Sequence, residues 1–569
     1  MRWNHFLGAS LVAGHCLVSI SNVSALPPKP PVGGDQSGCL DKVALRVSAS
    51  PASVVLGQSS TVTWSAVVSK TASDLCPQRQ FRLNGASVAD SGSMQVRPTH
   101  NSVYTVTASE KFLGLYREKS VSARVAVGYP DRVVVNQNTS DPVGLIIGAL
   151  TDPSPSQRTV ELCNVTLDFT GKMNILVGSN RSLIASKGCE RGARSTGSRI
   201  FVSATNGAEP LFRVHGDNIV ISGFELQGPR SSVVSNDTKD IGILIEPDAS
   251  TALIQRIEIS NMEISGWPQA GVSVLDTTSA LAERGRLVNT TVGAVTIKGS
   301  FIHHNQHDNF GYGVVVGGGA YALIEKNVFD YNRHAIGGDS KNANGIDFSG
   351  YTARDNLILS GGGHHCNSST GICWKTHQID MHGDGSGFFD GPHGCGTAGE
   401  TMIIERNTIL YEYGHLGYVI KIRGNPLDKV VIDHNVFRDD DDSIAQNGAC
   451  GIGDNITKPI DVRPNNAFNV DPMAELGTCD FVGDGQLDQF MATGVTWWAK
   501  SPVTNQWRYL NTKWETLPQL WFAKVDGDNA CDVALKERNP SPFLAAPIRY
   551  VSGGVGASWL TTNPTLIGP

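Results

Sequence analysis

The sequence predicts an all-β protein whose larger part is a parallel β-helix, a solenoid of stacked coils. A strand-and-turn phrase returns along the chain as Ile259-Ser-Asn261-Met-Glu-Ile264, Ile324-Glu-Lys-Asn327-Val-Phe329, Ala353-Arg-Asp-Asn356-Leu-Ile358, Ile404-Glu-Arg-Asn407-Thr-Ile409 and Ile432-Asp-His-Asn435-Val-Phe437. The step from Asn327 to Asn356 is 29 residues and from Asn407 to Asn435 is 28, whereas Asn356 to Asn407 is 51, so one near-regular period carries one long insertion. A fixed period of this size marks a solenoid. Period-two alternation, Ile and Val enrichment, and Gly and Asn punctuation favour strands over helices as its unit.

One coil cannot bury its own apolar face. Stacked at strand spacing, about 4.8 Å, the Ile, Val and Phe residues form continuous interior columns. Buried Asn side chains then hydrogen-bond from coil to coil as a ladder. Asn327, Asn356, Asn407 and Asn435 are therefore read as structural, not catalytic.

With 569 residues the chain is long enough for two or three domains. A net charge of -7 gives no footprint for nucleic acid and no polybasic segment for membranes. High Gly, 62 residues, and low charge, 17%, suit a turn-rich β protein. Residues 1–25 read as a secretory signal: Arg2 precedes an apolar run, and Val23-Ser-Ala25 offers a small-residue cleavage site. The expected location is secreted or extracellular, with the bacterial cell surface or periplasm as variants. No later stretch is apolar enough to span a membrane. Residues 26–39, beginning Leu26-Pro-Pro-Lys-Pro-Pro, read as a linker. Of 11 Cys, Cys16 lies in the signal. The even remainder suggests disulfides, with Cys39–Cys76, Cys163–Cys189 and Cys479–Cys531 favoured by proximity, while Cys366, Cys373, Cys395 and Cys450 have no pairing fixed by sequence.

Residues 40–128 alternate as strands at Val43–Val47, Ser60–Trp64, Ser102–Val106 and Val121–Val127, with turns at Leu56-Gly57 and Asn84-Gly85, which predicts a small β-sandwich. With Trp64 read as core and two nearby Cys, this segment resembles the immunoglobulin-like modules of secreted bacterial proteins. The solenoid is expected over 130–470, starting with a capping segment.

Residues 471–569 differ, holding six of the ten Trp. Here Asp480-Phe-Val-Gly-Asp484-Gly-Gln-Leu-Asp488 is echoed by Lys524-Val-Asp526-Gly-Asp528-Asn-Ala-Cys-Asp532. These phrases resemble the FG-GAP (VCBS-like) repeats of calcium-binding β-propeller blades. The resemblance implies calcium on Asp480, Asp484 and Asp488 and on Asp526, Asp528 and Asp532, since closely spaced carboxylates around a Gly turn hold a hard cation. Val482 and Lys524 depart from the pattern, which leaves an Asp-Gly turn kept for its backbone as the competing reading. Two repeats are too few to close a propeller and are expected to form a docked accessory module.

Eleven of the 15 His lie between His303 and His434, a crowding of the one side chain that titrates near neutrality. Laid together by their shared Gly, the segments Val314–Gly318, His334–Gly338, Ile379–Gly383 and Ile420–Gly424 send Ile379, Met381, Ile420 and Ile422 inward. Asp380, His382, Lys421 and Arg423 then point outward on adjacent coils. Arg333, His334 and His377 complete the candidate catalytic set, although this alignment turns His334 inward. Tyr312, His365 and His393 are expected to bind substrate, the last two on the long insertion near residues 360–400.

Such a groove suits an anionic sugar. Lys421 or Arg423 would neutralise a uronate carboxylate, His382 or a Lys would take its α proton, and Asp380 would orient the base. A solvated charged face and a metal site on His377, Asp380 and His382 with His364 or His365 are the competing readings. Residues 130–470 resemble the right-handed parallel β-helix superfamily of secreted polysaccharide lyases and glycoside hydrolases, which implies a carbohydrate-active enzyme with a polysaccharide as partner. β-Elimination of a uronic-acid-containing chain is preferred. A hydrolase using Asp380 with Asp339 or Asp384 and a non-enzymatic adhesin are the alternatives. Sequence leaves the sugar and the oligomeric state open.

Overall fold

The computed structural model describes residue 40 and residues 43–68, 79–112, 115–185, 197–204, 209–229, 240–246, 256–275, 295–307, 310–340, 349–366, 373–387, 391–414, 417–447, 456–536 and 547–562. The signal and linker expected over 1–39 lie outside them. The chain forms two compact units, one ending near residue 133 and including 140–152, the other comprising 134–139 and 153–569.

In the smaller unit, a three-stranded sheet (Val43–Ser50, Ser60–Val68, Ser91–Val96) and a five-stranded sheet (Ser53–Val55, Arg79–Leu83, Ala86–Val88, Ser102–Phe112, Leu115–Gly128) are built where alternation predicts strands. Trp64 is core, as expected, packing with Val62, Leu83 and Val106 while its indole N–H donates to the Ala89 carbonyl at 3.0 Å. Asn84 and Gly85 both take positive φ, making the turn between Arg79–Leu83 and Ala86–Val88. The helix Pro142–Thr151 was not anticipated. Asp141 caps it, its carboxylate accepting from the Gly144 N–H at 3.0 Å, and Pro142 sits where a helix start loses nothing by it.

The larger unit is a parallel β-helix. The chain visits three sheets in turn, so strands adjacent in a sheet are one coil apart in sequence. The first sheet has eleven strands, from Arg132–Val135 to Asp461–Val462. The second has nine strands from Thr166–Asp168 to Val436–Phe437, and the third has nine from Ile175–Val177 to Ile444–Asn447. Inward columns such as Val272, Val314, Ile336, Ile379 and Ile420 are fully buried, in register along the axis.

The recurring phrase is the corner between the first and second sheets. Lys326, Asp355, Arg406 and His434 take positive φ, and the Asn that follows turns into the core. Side-chain amides then link Asn327 to Asn356 at 3.2 Å, Asn356 to Asn407 at 2.9 Å, Asn407 to Asn435 at 3.0 Å and Asn435 to Asn466 at 3.0 Å. The corner between the second and third sheets repeats the device: His304 and Tyr331 take positive φ, and Asn305 bonds Asn332 at 2.9 Å. Buried amides satisfied this way lock coil register.

The segment between Ile358 and Thr401 is not a plain loop. It holds the third-sheet strand Ile379–Met381 and two antiparallel hairpins, His364–Cys366 with Cys373–Lys375 and Gly385–Gly387 with Gly391–Cys395.

Residues 477–562 form two four-stranded antiparallel sheets, Gly477–Thr512 and Leu520–Thr562. They share a core of Phe481, Phe490, Trp497, Leu510, Leu520, Val533 and Val551, pinned by the Cys479–Cys531 disulfide predicted from spacing. Cys163 is likewise disulfide-bonded; its expected partner Cys189, like Cys39 and Cys76, lies outside the described residues. The module docks on the outer face of the second sheet, where Val328, Leu357 and Leu410 meet Met491, Trp498 and Trp507. Thr512 bonds Asp355 at 3.0 Å and Gln506 bonds Glu263 at 2.7 Å along the seam. No helix among the described residues is long and apolar enough to cross a membrane.

Candidate functional site

The site is built on the outer wall of the third sheet. Asp380 pairs with Lys421 and Met381 with Ile422, so the strands Ile379–Met381 and Ile420–Arg423 stand in the register expected from sequence. The apolar members face in and the polar members out. One coil earlier, the shared-Gly alignment is displaced by two residues: Ile336, not His334, pairs with Ile379, and His334 pairs with Tyr312.

His334 nevertheless lies with His377 and Asp380 on the outer wall, contrary to strict alternation, which a shift of two residues leaves unchanged. Strand parity breaks just after it, because position 313, the neighbour of Ala335, points into the solenoid: a Cβ on Gly313 would lie 3.0 Å from buried Phe329. Ala335 and Ile336 are both fully buried, and the His334 ring is left outside, stacked on His377 at 4.4 Å between centroids.

Asp380 is the centre of the cluster. Its Oδ2 lies 2.8 Å from His377 Nε2, 2.7 Å from His382 Nε2 and 3.6 Å from Arg423 Nη2. The Arg423 Nη2 is also 2.8 Å from His377 Nε2. The carboxylate has no exposed surface, whereas His377, His382 and Arg423 each keep about a tenth of the side chain open. Gly337 makes the space: a Cβ there would meet the Tyr312 ring at 2.5 Å and Asp380 Oδ1 at 3.2 Å. Neither Gly337 nor the second-corner Asn332 was singled out from sequence, though the His334-Ala-Ile-Gly-Gly338 phrase contained the signal.

Burial opposes ionisation of Asp380, but the surrounding imidazoles, His382 foremost, and the His377 hydrogen bond outweigh it and hold the carboxyl well below the usual range. Burial in turn pushes His377 down to about 3, against the pull of Asp380, and lowers His382 and His334 too. With burial keeping the imidazoles neutral, the Asp380 charge is held by the His377 hydrogen bond and faced by the Arg423 guanidinium 3.6 Å away.

Tyr312 is buried, its phenol pushed up to about 12 by burial, and lies beneath Arg333 at 5.9 Å. It supports that guanidinium rather than presenting a ring to a sugar. Arg333 is also buried, its carbonyl accepting from Thr376 Oγ1 at 2.9 Å. Lys421 lies half-buried in the next coil. Asp339 pairs across the sheet with His382 and is buried, while Asp384 lies past the strand end with Oδ1 accepting from the Thr397 N–H. The side chains of His364, His365 and His393 lie outside the described residues.

The two Asp-rich loops differ. In the first, Asp480 accepts from the Asp484 and Gly485 N–H groups and Asp488 from Val482, so these carboxylates serve backbone turns. They are not among the described residue sets whose ligand atoms converge within 4.8 Å of one another. In the second, Asp526, Asp528 and Asp532 converge within 4.8 Å, but Asp532 also accepts from Val525, Asp526 and Gly553. The loop thus combines an Asp-Gly turn with three converging carboxylates.

Fold and wall together define an all-β protein with a parallel β-helix at its centre and a buried Asp-His-Arg cluster outside it. No protein-family model matches the chain, and no curated protein does. Among solved structures it is similar to the Agl-KA catalytic domain, at 9% identity over 76% of this chain and 96% of that one, with a TM-score of 0.25. It is also similar to the catalytic unit of a thermostable GH87 alpha-1,3-glucanase from Streptomyces thermodiastaticus strain HF3-3, at 11% identity over 73% and 88%, with a TM-score of 0.26. Likeness so distant carries no argument about the chemistry of this chain.

Proposed function

We propose that this chain is a secreted carbohydrate-active enzyme that cleaves a uronic-acid-containing polysaccharide by β-elimination at the outer wall of the third sheet. The observation behind this reading is the placement of Asp380, an anion buried among three imidazoles and flanked by Arg423 on a rigid strand wall. A solvated charged face would leave that carboxylate in water.

In this mechanism Arg423, Arg333 and Lys421 receive the uronate carboxylate and neutralise it, which acidifies the adjacent C–H. Neutral His382, held by Asp380, takes that proton; the freed electron pair forms the C=C bond as the glycosidic C–O bond breaks, and the leaving oxygen is protonated by solvent. His377 holds the other side of Asp380 and so fixes the base indirectly. The immunoglobulin-like unit and the FG-GAP-like module are accessory in this reading.

One observation favours a hydrolase as second reading. Asp339 pairs with His382, two residues along the strand from Asp380, so the two buried carboxylates stand one coil apart on a diagonal of about 8 Å, within the separation of an inverting pair. Incubation with pectic, alginate and glycosaminoglycan chains separates the two. Ultraviolet absorbance from an unsaturated product supports elimination, new reducing ends without it support hydrolysis, and binding without cleavage supports an adhesin.

A further inference from the structure

We propose that His334, His377 and Asp380 form a binding site for a divalent first-row transition-metal ion, and that the ion displaces Arg423 from His377. The proposal concerns the same wall but is independent of which bond the protein cleaves.

The tautomer of His334 leaves one ring nitrogen ready for a metal. Its Nδ1 lies 2.5 Å from the His377 carbonyl oxygen, which can only accept, so Nδ1 carries the proton and Nε2 is a bare lone pair. That Nε2 is buried and has no hydrogen-bond partner among the described residues. A backbone carbonyl fixing the far nitrogen while the near one stays open is how proteins orient imidazole toward a metal. The candidate ligand atoms also converge. One ligand atom from each of His334, His377 and Asp380 lies within 4.8 Å of the other two, all three residues are buried, and the two rings are stacked at 18° on adjacent coils. Two imidazoles and one carboxylate suit a borderline ion such as zinc, whose ligands stand about 2.0–2.2 Å away, with a further position left open.

Finally, the contacts of His377 make conflicting demands on one nitrogen. His377 Nε2 is 2.8 Å from Asp380 Oδ2, which needs a proton on that nitrogen, and 2.8 Å from Arg423 Nη2, which needs a lone pair. A neutral imidazole nitrogen supplies one or the other. Asp380 Oδ1, also buried, is left without a hydrogen-bond partner among the described residues. An ion between Nε2 and the carboxylate satisfies both as acceptors, with Arg423 swung away to the open side of the wall.

The test uses the full chain after dialysis against a chelator, with Asp526→Asn and Asp528→Asn introduced to silence the C-terminal loop. Zinc is titrated calorimetrically and cobalt by visible absorption, since imidazole ligation gives a spectrum distinct from an all-oxygen site. We expect one ion per chain, a cobalt band of nitrogen-ligated type, and affinity weakened on the order of 100-fold in His334→Ala and in His377→Ala. Arg423→Met should bind as tightly or more tightly. Absence of binding, equal affinity in His334→Ala with the native circular dichroism retained, or weaker binding in Arg423→Met overturns the proposal. His334→Gln, nearly isosteric, repeats the measurement if the alanine variant fails to fold. Product absorbance in the metal-free protein is judged separately, so failure of the metal site leaves the reading of the reaction standing, and the converse also holds.

Discussion

Two outer walls of one solenoid were given opposite fates. On the second sheet the outward residues Val328 and Leu357 are apolar and the C-terminal module covers them with Met491, Trp498 and Trp507. On the third sheet the outward residues are Asp380, His382, Lys421 and Arg423, backed by the same kind of inward Ile and Met columns. The contrast shows what a β-helix offers. Interior columns set where every strand lies, so each outward position is free to specify a partner. An apolar column is stabilised by packing against a module, whereas polar side chains held on a rigid wall become a preorganised site.

The sharpest way to break this comparison is Asp380→Asn. It should lower turnover on the order of 10^3-fold while the cobalt band shifts and the solenoid stays folded, because the substitution keeps shape and removes the charge. Cleavage at wild-type rate would place the chemistry elsewhere. On the opposite wall Trp498→Ala should destabilise the docked module by about 3–5 kcal/mol, read as an early unfolding step in calorimetry, with cleavage at the third sheet unchanged at low temperature.

Between the walls, Asn407→Ala removes one rung that bonds Asn356, Asn435 and the Ala353 carbonyl, and should cost about 1–3 kcal/mol through the buried groups left unpaired. A chemical denaturation midpoint that does not move would show the ladder to be dispensable.

The smallest effect is a pH dependence at the seam. Burial alone would raise Glu263, but hydrogen bonds from His303 and from Gln506 of the docked module outweigh it and lower it from its ordinary value of 4.5. A depressed carboxyl stabilises the folded form fully above the unfolded value and loses that contribution as pH falls through the folded one. Thermal midpoints of wild type and Glu263→Gln should therefore differ at pH 7 and converge on acidification below about pH 4.5. Because the side chain is a third exposed, the difference should be small and shrink with salt. Divergence on acidification would contradict the assignment.

Much of this was legible in the residues. The Asn phrase foretold the ladder, the Ile379 and Ile420 strands foretold their pairing, and the Cys479–Cys531 spacing foretold its disulfide. The misreading of the wall has a physical cause. His334 was turned inward because strict period two has no way to register a corner where Ala335 and Ile336 both face the core.

What the sequence determined by itself is the periodic part: which residues alternate, where chain direction turns, and that the result must stack, since local sterics and the burial of apolar columns act on every coil alike. The tertiary structure alone decided which outward side chains meet. The step between His334 and His377 is 43 residues, and only stacking at strand spacing turns it into contact. That contact is where a buried carboxylate and an imidazole nitrogen without a partner among the described residues come together.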